Sequence, residues 1–158
     1  MLAHQTMERG FDYTGILINT ICHDGAGRFL FTRRSKDPGA RWGFGTTPLA
    51  FGEEPEEACA RLVKSDCSVI ASIERFLGVT SMTRVNNNRT SHWLVLSYLI
   101  RIPNPKDVPQ CSPSDPNTEL MWRFLTNLPD HLHEGTKTIF HRFTKYLSLA
   151  GSAHQEPE

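Results

Sequence analysis

Two apolar runs constrain the fold of this chain more than any other feature. Residues 14–22 (TGILINTIC) and 92–102 (HWLVLSYLIRI) are rich in β-branched and aromatic side chains and scarcely alternate with polar ones. A strand that is apolar on both sides needs cover on both sides, so both runs belong inside a sheet with a layer packed on each face.

The remaining elements supply those layers. Residues 23–27 carry turn chemistry and residues 28–34 return as a second strand, so the pair reads as a hairpin. Residues 35–40 then break regular structure. Glu54 is placed to cap a helix that starts at Pro55, where the missing N–H is harmless, and Glu56 and Glu57 favour its positive end. One or two strands follow over 70–85, and the polar run 86–91 reads as a loop, because asparagine tolerates left-handed backbone angles. Five prolines between 103 and 116 mark a crossing that cannot continue a sheet. Residues 119–125 form another short strand, and 127–130 turn out of it. From 135 to 149, Ile139, Phe140, Phe143, Tyr146 and Leu147 recur at helical spacing, with Gly151 expected to end the helix. No internal repeat is present. The expected organisation is a polar, frayed lead-in over 1–10, one domain over 11–149 and a flexible tail over 150–158.

Composition narrows the partners. Seventeen Lys and Arg balance seventeen Asp and Glu, which argues against a nucleic-acid duplex or a polybasic membrane surface and favours a small polar ligand. No apolar run approaches the roughly 18 residues of a membrane span, and the first ten residues lack the apolar core of a secretory signal. Cys22, Cys59, Cys67 and Cys111 form no CxxC pair. Cys59 and Cys67 would sit about 12 Å apart on one helix, beyond disulfide reach. A reduced, cytoplasmic setting is the expectation.

The stretch 41–69 passes from a Gly-rich loop into the first helix, and its spacing resembles the Nudix box. Laid on that pattern without a gap, Glu53 takes the first Glu, Arg61 the Arg, and Val63 and Val69 aliphatic positions. Thr47 and Ser68 stand on the Gly positions, and Leu62, Ser65 and Asp66 on the three helical glutamates. The likeness extends over about residues 11–148, through Thr32-Arg-Arg-Ser35, Phe76-Leu-Gly78, Glu119-Leu-Met-Trp122 and Asn127-Leu-Pro129. It implies an α+β fold, an α/β/α sandwich around a mixed sheet. It also implies a hydrolase of nucleoside diphosphate derivatives or other organic pyrophosphates that uses Mg²⁺ or Mn²⁺. A homodimer is compatible with it.

Carried over position by position, the resemblance makes Glu53, Asp66 and Glu119 the catalytic and metal-holding set. Arg61 becomes the partner that shapes the box, and Arg33, Arg34, Arg41 and His92 become substrate contacts. Each has a plainer alternative. Asp66 could be a solvated acid in the last turn of a helix, Glu53 with Arg61 an ion pair, Glu119 a surface residue, the arginines a solvated strand edge, and His92 edge packing. Glu54, Glu56 and Glu57 could replace missing ligands, although the helix dipole already explains them. His131, His133 and Glu134 read as surface. Positions 62, 65 and 66 should share one helix face, and only one of them is a carboxylate, so metal binding is expected to be weak or absent. Three readings follow, the first two being a divergent hydrolase of low or altered activity and a non-catalytic nucleotide- or pyrophosphate-binding module. A pure interaction protein is the third.

Overall fold

The computed structural model describes residues 6–35 and 39–152; the start of the lead-in, three residues of the break at 35–40 and the tail beyond 152 lie outside them. Among the described residues, six strands and two α-helices run in the order β1 (Gly15–His23), β2 (Arg28–Arg33), β3 (Gly45–Pro48), α1 (Pro55–Cys67), β4 (Ser72–Asn86), β5 (Arg89–Arg101), β6 (Glu119–Phe124) and α2 (Glu134–Ser152). The sheet order is β4-β5-β1-β2-β6, with β3 pairing β1.

The two apolar runs fall in β1 and β5, which lie side by side in parallel along the whole of β1, from Gly15↔Trp93 to His23↔Arg101. Each strand feeds two cores. Ile18 and Cys22 of β1 join Tyr98 and Ile100 of β5 beneath Ala58, Cys59, Val63 and Cys67 of α1. On the other face Ile21, Val95 and Leu99 meet Ile139, Phe143 and Leu147 of α2. The mixed sheet between helices is therefore as expected, and its origin is the absence of a polar side on either central strand.

Local detail departs from expectation in three places. The hairpin of β1 and β2 closes through a single pair, His23↔Phe29. Thereafter β2 pairs with β6, and β3 takes the edge of β1 over Leu17–Thr20. The loop foreseen at 86–91 shrinks to Asn87 and Asn88 (φ 50° and 62°), since two consecutive positive φ angles make the tight turn that suits twisted hairpin strands. Helix α2 continues through Gly151 to Ser152, because an isolated glycine weakens a helix without ending it. Residues 70–85 resolve into one strand with irregularities between Ile73 and Arg75 and between Phe76 and Gly78. Among the described residues no helix is long and apolar enough to cross a membrane.

The segment before β1 is held against the sheet. The His92 N–H donates to the Gly10 carbonyl at 2.7 Å, Glu8 pairs with Arg89 at 2.9 Å, and Arg9 donates to the Leu49 carbonyl at 2.7 Å.

Candidate functional site

The loop–helix stretch 41–69 is built around its ends. Glu54 caps α1 in extended conformation, Pro55 opens the helix, and the Glu54 N–H donates to Glu57 Oε2 at 3.0 Å. That bond gives Glu57 a capping role. At the far end Ser68 adopts the left-handed conformation (φ 56°) and its N–H donates to the Lys64 carbonyl. The glycine of the box pattern at this position thus has a conformational reason, which Ser68 meets with some strain.

Glu53 and Arg61 form the expected bidentate pair, Nε to Oε2 at 2.9 Å and Nη2 to Oε1 at 3.0 Å. Arg61 also donates to Thr47 Oγ1 (3.2 Å) and the Pro48 carbonyl (3.3 Å), and Glu53 Oε1 accepts the Ala50 N–H. The side chains tie the loop into its turn. The Arg61 guanidinium, with help from the Ala50 amide, holds Glu53 below the usual carboxylate range. Both carboxylate oxygens are engaged.

Asp66 is not a solvated acid. It is 6% exposed, and Arg34 Nη2 reaches its Oδ2 at 3.0 Å. Leu62, one turn earlier, is buried beside it. Ser65 points elsewhere: its hydroxyl lies 2.9 Å from that of Ser114, and its carbonyl accepts from the Ser112 and Ser114 hydroxyls. The three helical positions of the box therefore do not share one face, since the 100° between neighbouring residues puts Ser65 under the proline-rich crossing.

Glu119 sits opposite Arg33 in the β2–β6 ladder and accepts from its Nη2 at 2.5 Å. The Arg33 guanidinium also lies over the Trp42 ring, 4.8 Å from its centre. Each candidate carboxylate is thus claimed by an arginine: Glu53 by Arg61, Asp66 by Arg34, Glu119 by Arg33. Among the described residues no three His, Cys, Asp or Glu side chains gather closely enough to hold a metal ion. As arranged, the three carboxylates do not converge on one point and each faces a guanidinium, which does not fit a divalent cation.

Chemistry of another kind gathers on the α2 face. A cavity of about 450 Å³ opens between β1, β4, β5 and the start of α2. Arg34, Arg41 and Arg84 line it together with Phe44, Met82 and Trp93. Of the four residues expected to contact substrate, Arg34 and Arg41 line this cavity. Arg33 is turned to Glu119 and Trp42 and does not line the cavity. His92 does not line it either. Strand alternation directs Ser91, Trp93 and Val95 inward and His92 to the opposite face, where its ring nitrogens meet Thr14 Oγ1 (2.7 Å) and Ser81 Oγ (2.8 Å).

His133, read from sequence as surface, is half-buried on the cavity wall. Arg84 places Nη1 2.8 Å from its Nε2 and Nη2 3.1 Å from its Nδ1, and the Gly135 N–H donates to Nδ1 at the start of α2. Burial first, then the charges of Arg84 and Arg41, pull its pKa below the ordinary 6.5, and Glu134 opposes them. The sign is clear: the unfolded chain takes up this proton near pH 6.5 while the folded chain still resists it. Stability contributed by neutral His133 is thus present above pH 6.5 and lost as pH falls below it. Urea midpoints measured from pH 7.5 to 5.5 should fall in the wild type and fall less in His133→Asn, which keeps an acceptor at the helix start without a titrating ring. Equal slopes would refute this.

No family model matches the chain, and no curated protein matches it in sequence. Solved structures do match it in shape. A MutT NUDIX hydrolase from Burkholderia pseudomallei superposes with a TM-score of 0.62 at 20% identity, over 82% of this chain and 97% of that one. The NUDIX domain of Shewanella oneidensis NrtR, complexed with ADP ribose, gives 0.65 at 14% identity, over 87% and 90%. The C. elegans Ap4A hydrolase gives 0.61 at 15% identity, over 85% and 99%. The chain has the Nudix fold. Within that fold, the Glu53–Arg61 clamp and the left-handed turn at Ser68 sit where the box spacing puts them. Arg84, Trp93, Phe44 and His133 line the cavity and were missed by sequence reasoning, and β-strand alternation along 91–95 is the signal that could have found Trp93.

Proposed function

We propose that this chain is a metal-independent binding module for a small diphosphate-bearing ligand of the nucleotide class. The observation that carries this reading is the division of charge. The carboxylates that would hold a metal are each paired to an arginine, while Arg84, Arg41 (3.5 Å from Glu134) and the Asp66-paired Arg34 line a cavity that also presents Trp93, Phe44 and Met82. A cavity of about 450 Å³ is of the size that encloses small molecules. Arg34 is held at its mouth by Asp66, so a fixed guanidinium is available to offset phosphate charge by charge-assisted hydrogen bonds. The Shewanella domain of the same fold, bound to ADP ribose, supports a ligand of this class.

The second reading is a weakly active hydrolase of organic pyrophosphates with a divalent ion at Glu53, Asp66 and Glu119, and the retained Glu53–Arg61 clamp favours it. Calorimetric titration with ADP in EDTA, beside phosphate-release assays with Mg²⁺ or Mn²⁺ over a panel of nucleoside diphosphate derivatives, separates the two. The binding module predicts ADP affinity undiminished by EDTA and no release. Metal-dependent release abolished by Asp66→Asn would overturn it in favour of the enzyme. Neither binding nor release would leave an interaction protein on this fold.

A further inference from the structure

The cavity's aromatic wall is held in an unusual way. Trp93 of β5 lies beside Gly15 of β1 and Met82 of β4 in the sheet, and its indole lines the cavity. Behind the indole are two glycines from different segments. A Cβ on Gly15 would fall 2.4 Å from Cζ3 and 2.5 Å from Cε3 of the ring, and one on Gly10 would fall 2.4 Å from Cε2 and Cζ2. Real Cβ atoms essentially never come that close, so the ring lies directly against bare backbone along both of its ends. Gly10 reaches this position with φ 86°, a left-handed conformation open to glycine, and the His92 N–H fixes it by donating to its carbonyl. The segment before β1 thus completes the site by packing against an indole that also lines the cavity.

Resting on the reading of the cavity as a nucleotide-class site, we propose that Trp93 is its specificity-determining residue, a pre-set platform on which a planar base stacks. A fixed ring loses little freedom on binding, and an aromatic face accepts any base, so the platform selects for a base-bearing ligand over a bare phosphate chain. Arg84 and Met82, which also line the cavity, place cationic and polarisable groups near the same ring. The arginines hold the phosphates and the indole reads the ring.

The probes are ADP and inorganic pyrophosphate, each titrated in EDTA by calorimetry and by tryptophan fluorescence. Wild-type protein should bind ADP more tightly than pyrophosphate, with ADP alone quenching the emission. Trp93→Leu should lose about 5- to 150-fold in ADP affinity, the range of one base-stacking contact, and hold its pyrophosphate affinity within about twofold. Gly15→Ala, which pushes the ring from behind without touching the ligand, should weaken ADP selectively as well. Equal losses for both probes, or ADP affinity unchanged in Trp93→Leu, would overturn the platform while leaving the cavity reading intact. Wild-type protein that binds neither probe would overturn both. Should Trp93→Leu not fold, the wild-type contrast in quenching between the probes decides: quenching by both or by neither overturns the platform.

Discussion

Replacing Arg34 with methionine is expected to lower the melting temperature by about 5–15 °C at pH 7 and to weaken ADP by about 10- to 100-fold. The first effect follows from Asp66, which is 6% exposed and pairs with Arg34. Removing one member of a buried pair typically costs about 3–5 kcal/mol, because the remaining charge stays desolvated. The Arg34 side chain is 45% exposed, so water screens the pair, and about 2–4 kcal/mol is the fitting figure. In a domain of this size each kcal/mol moves the midpoint by about 2–4 °C. The second effect is the loss of one charge-assisted contact to phosphate, about 1.5–3 kcal/mol. Asp66→Asn in the same chain should recover much of the stability and none of the affinity, since the stranded carboxylate is removed while the cation stays absent. A single variant melting within about 2 °C of wild type would show that Asp66 does not depend on Arg34.

The sequence carried the scaffold and hid the cavity, for reasons that can be located. The central strands were legible because Ile18 faces one core and Ile21 the other within a single run, as do Tyr98 and Leu99. The helix start at Pro55 and the Glu53–Arg61 clamp were legible because their partners lie within one turn and one loop. The burial of Asp66 was not legible because its partner is 32 residues away on another element. Arg84 was missed because of the second irregularity in β4. Arg75 and Leu77 face α2, through Tyr146 and its core, and unbroken alternation would put 79, 81 and 83 on that side. The extra residue between Phe76 and Gly78 shifts the phase, so Thr80 meets Arg142 of α2 and Met82 and Arg84 line the cavity. His133 carried no local pattern of any kind; only the docking of α2 onto the sheet brings it to Arg84.

Leu62→Glu should be strongly destabilising, and its rescue tests what this helix face can hold. Leu62 is 7% exposed and Asp66 lies one turn on, so the variant buries a second carboxylate beside the first with only Arg34 to serve both. An uncompensated charge at such a position costs about 3–5 kcal/mol, or roughly 6–20 °C in the midpoint. Adding Arg34→Met withdraws the competing cation and leaves two carboxylates four residues apart on one buried helix face, the donor set a hard divalent ion accepts with waters and ligand oxygens completing its shell. Mn²⁺ at about a hundred times its dissociation constant would then return about 2.7 kcal/mol and raise the midpoint of the double variant by about 5–11 °C, while wild type stays unmoved. Refolding in Mn²⁺-containing buffer reads the same linkage if the double variant does not fold in EDTA. A double variant indifferent to Mn²⁺ would mean that position 62 does not correspond to a metal-bearing position of the box.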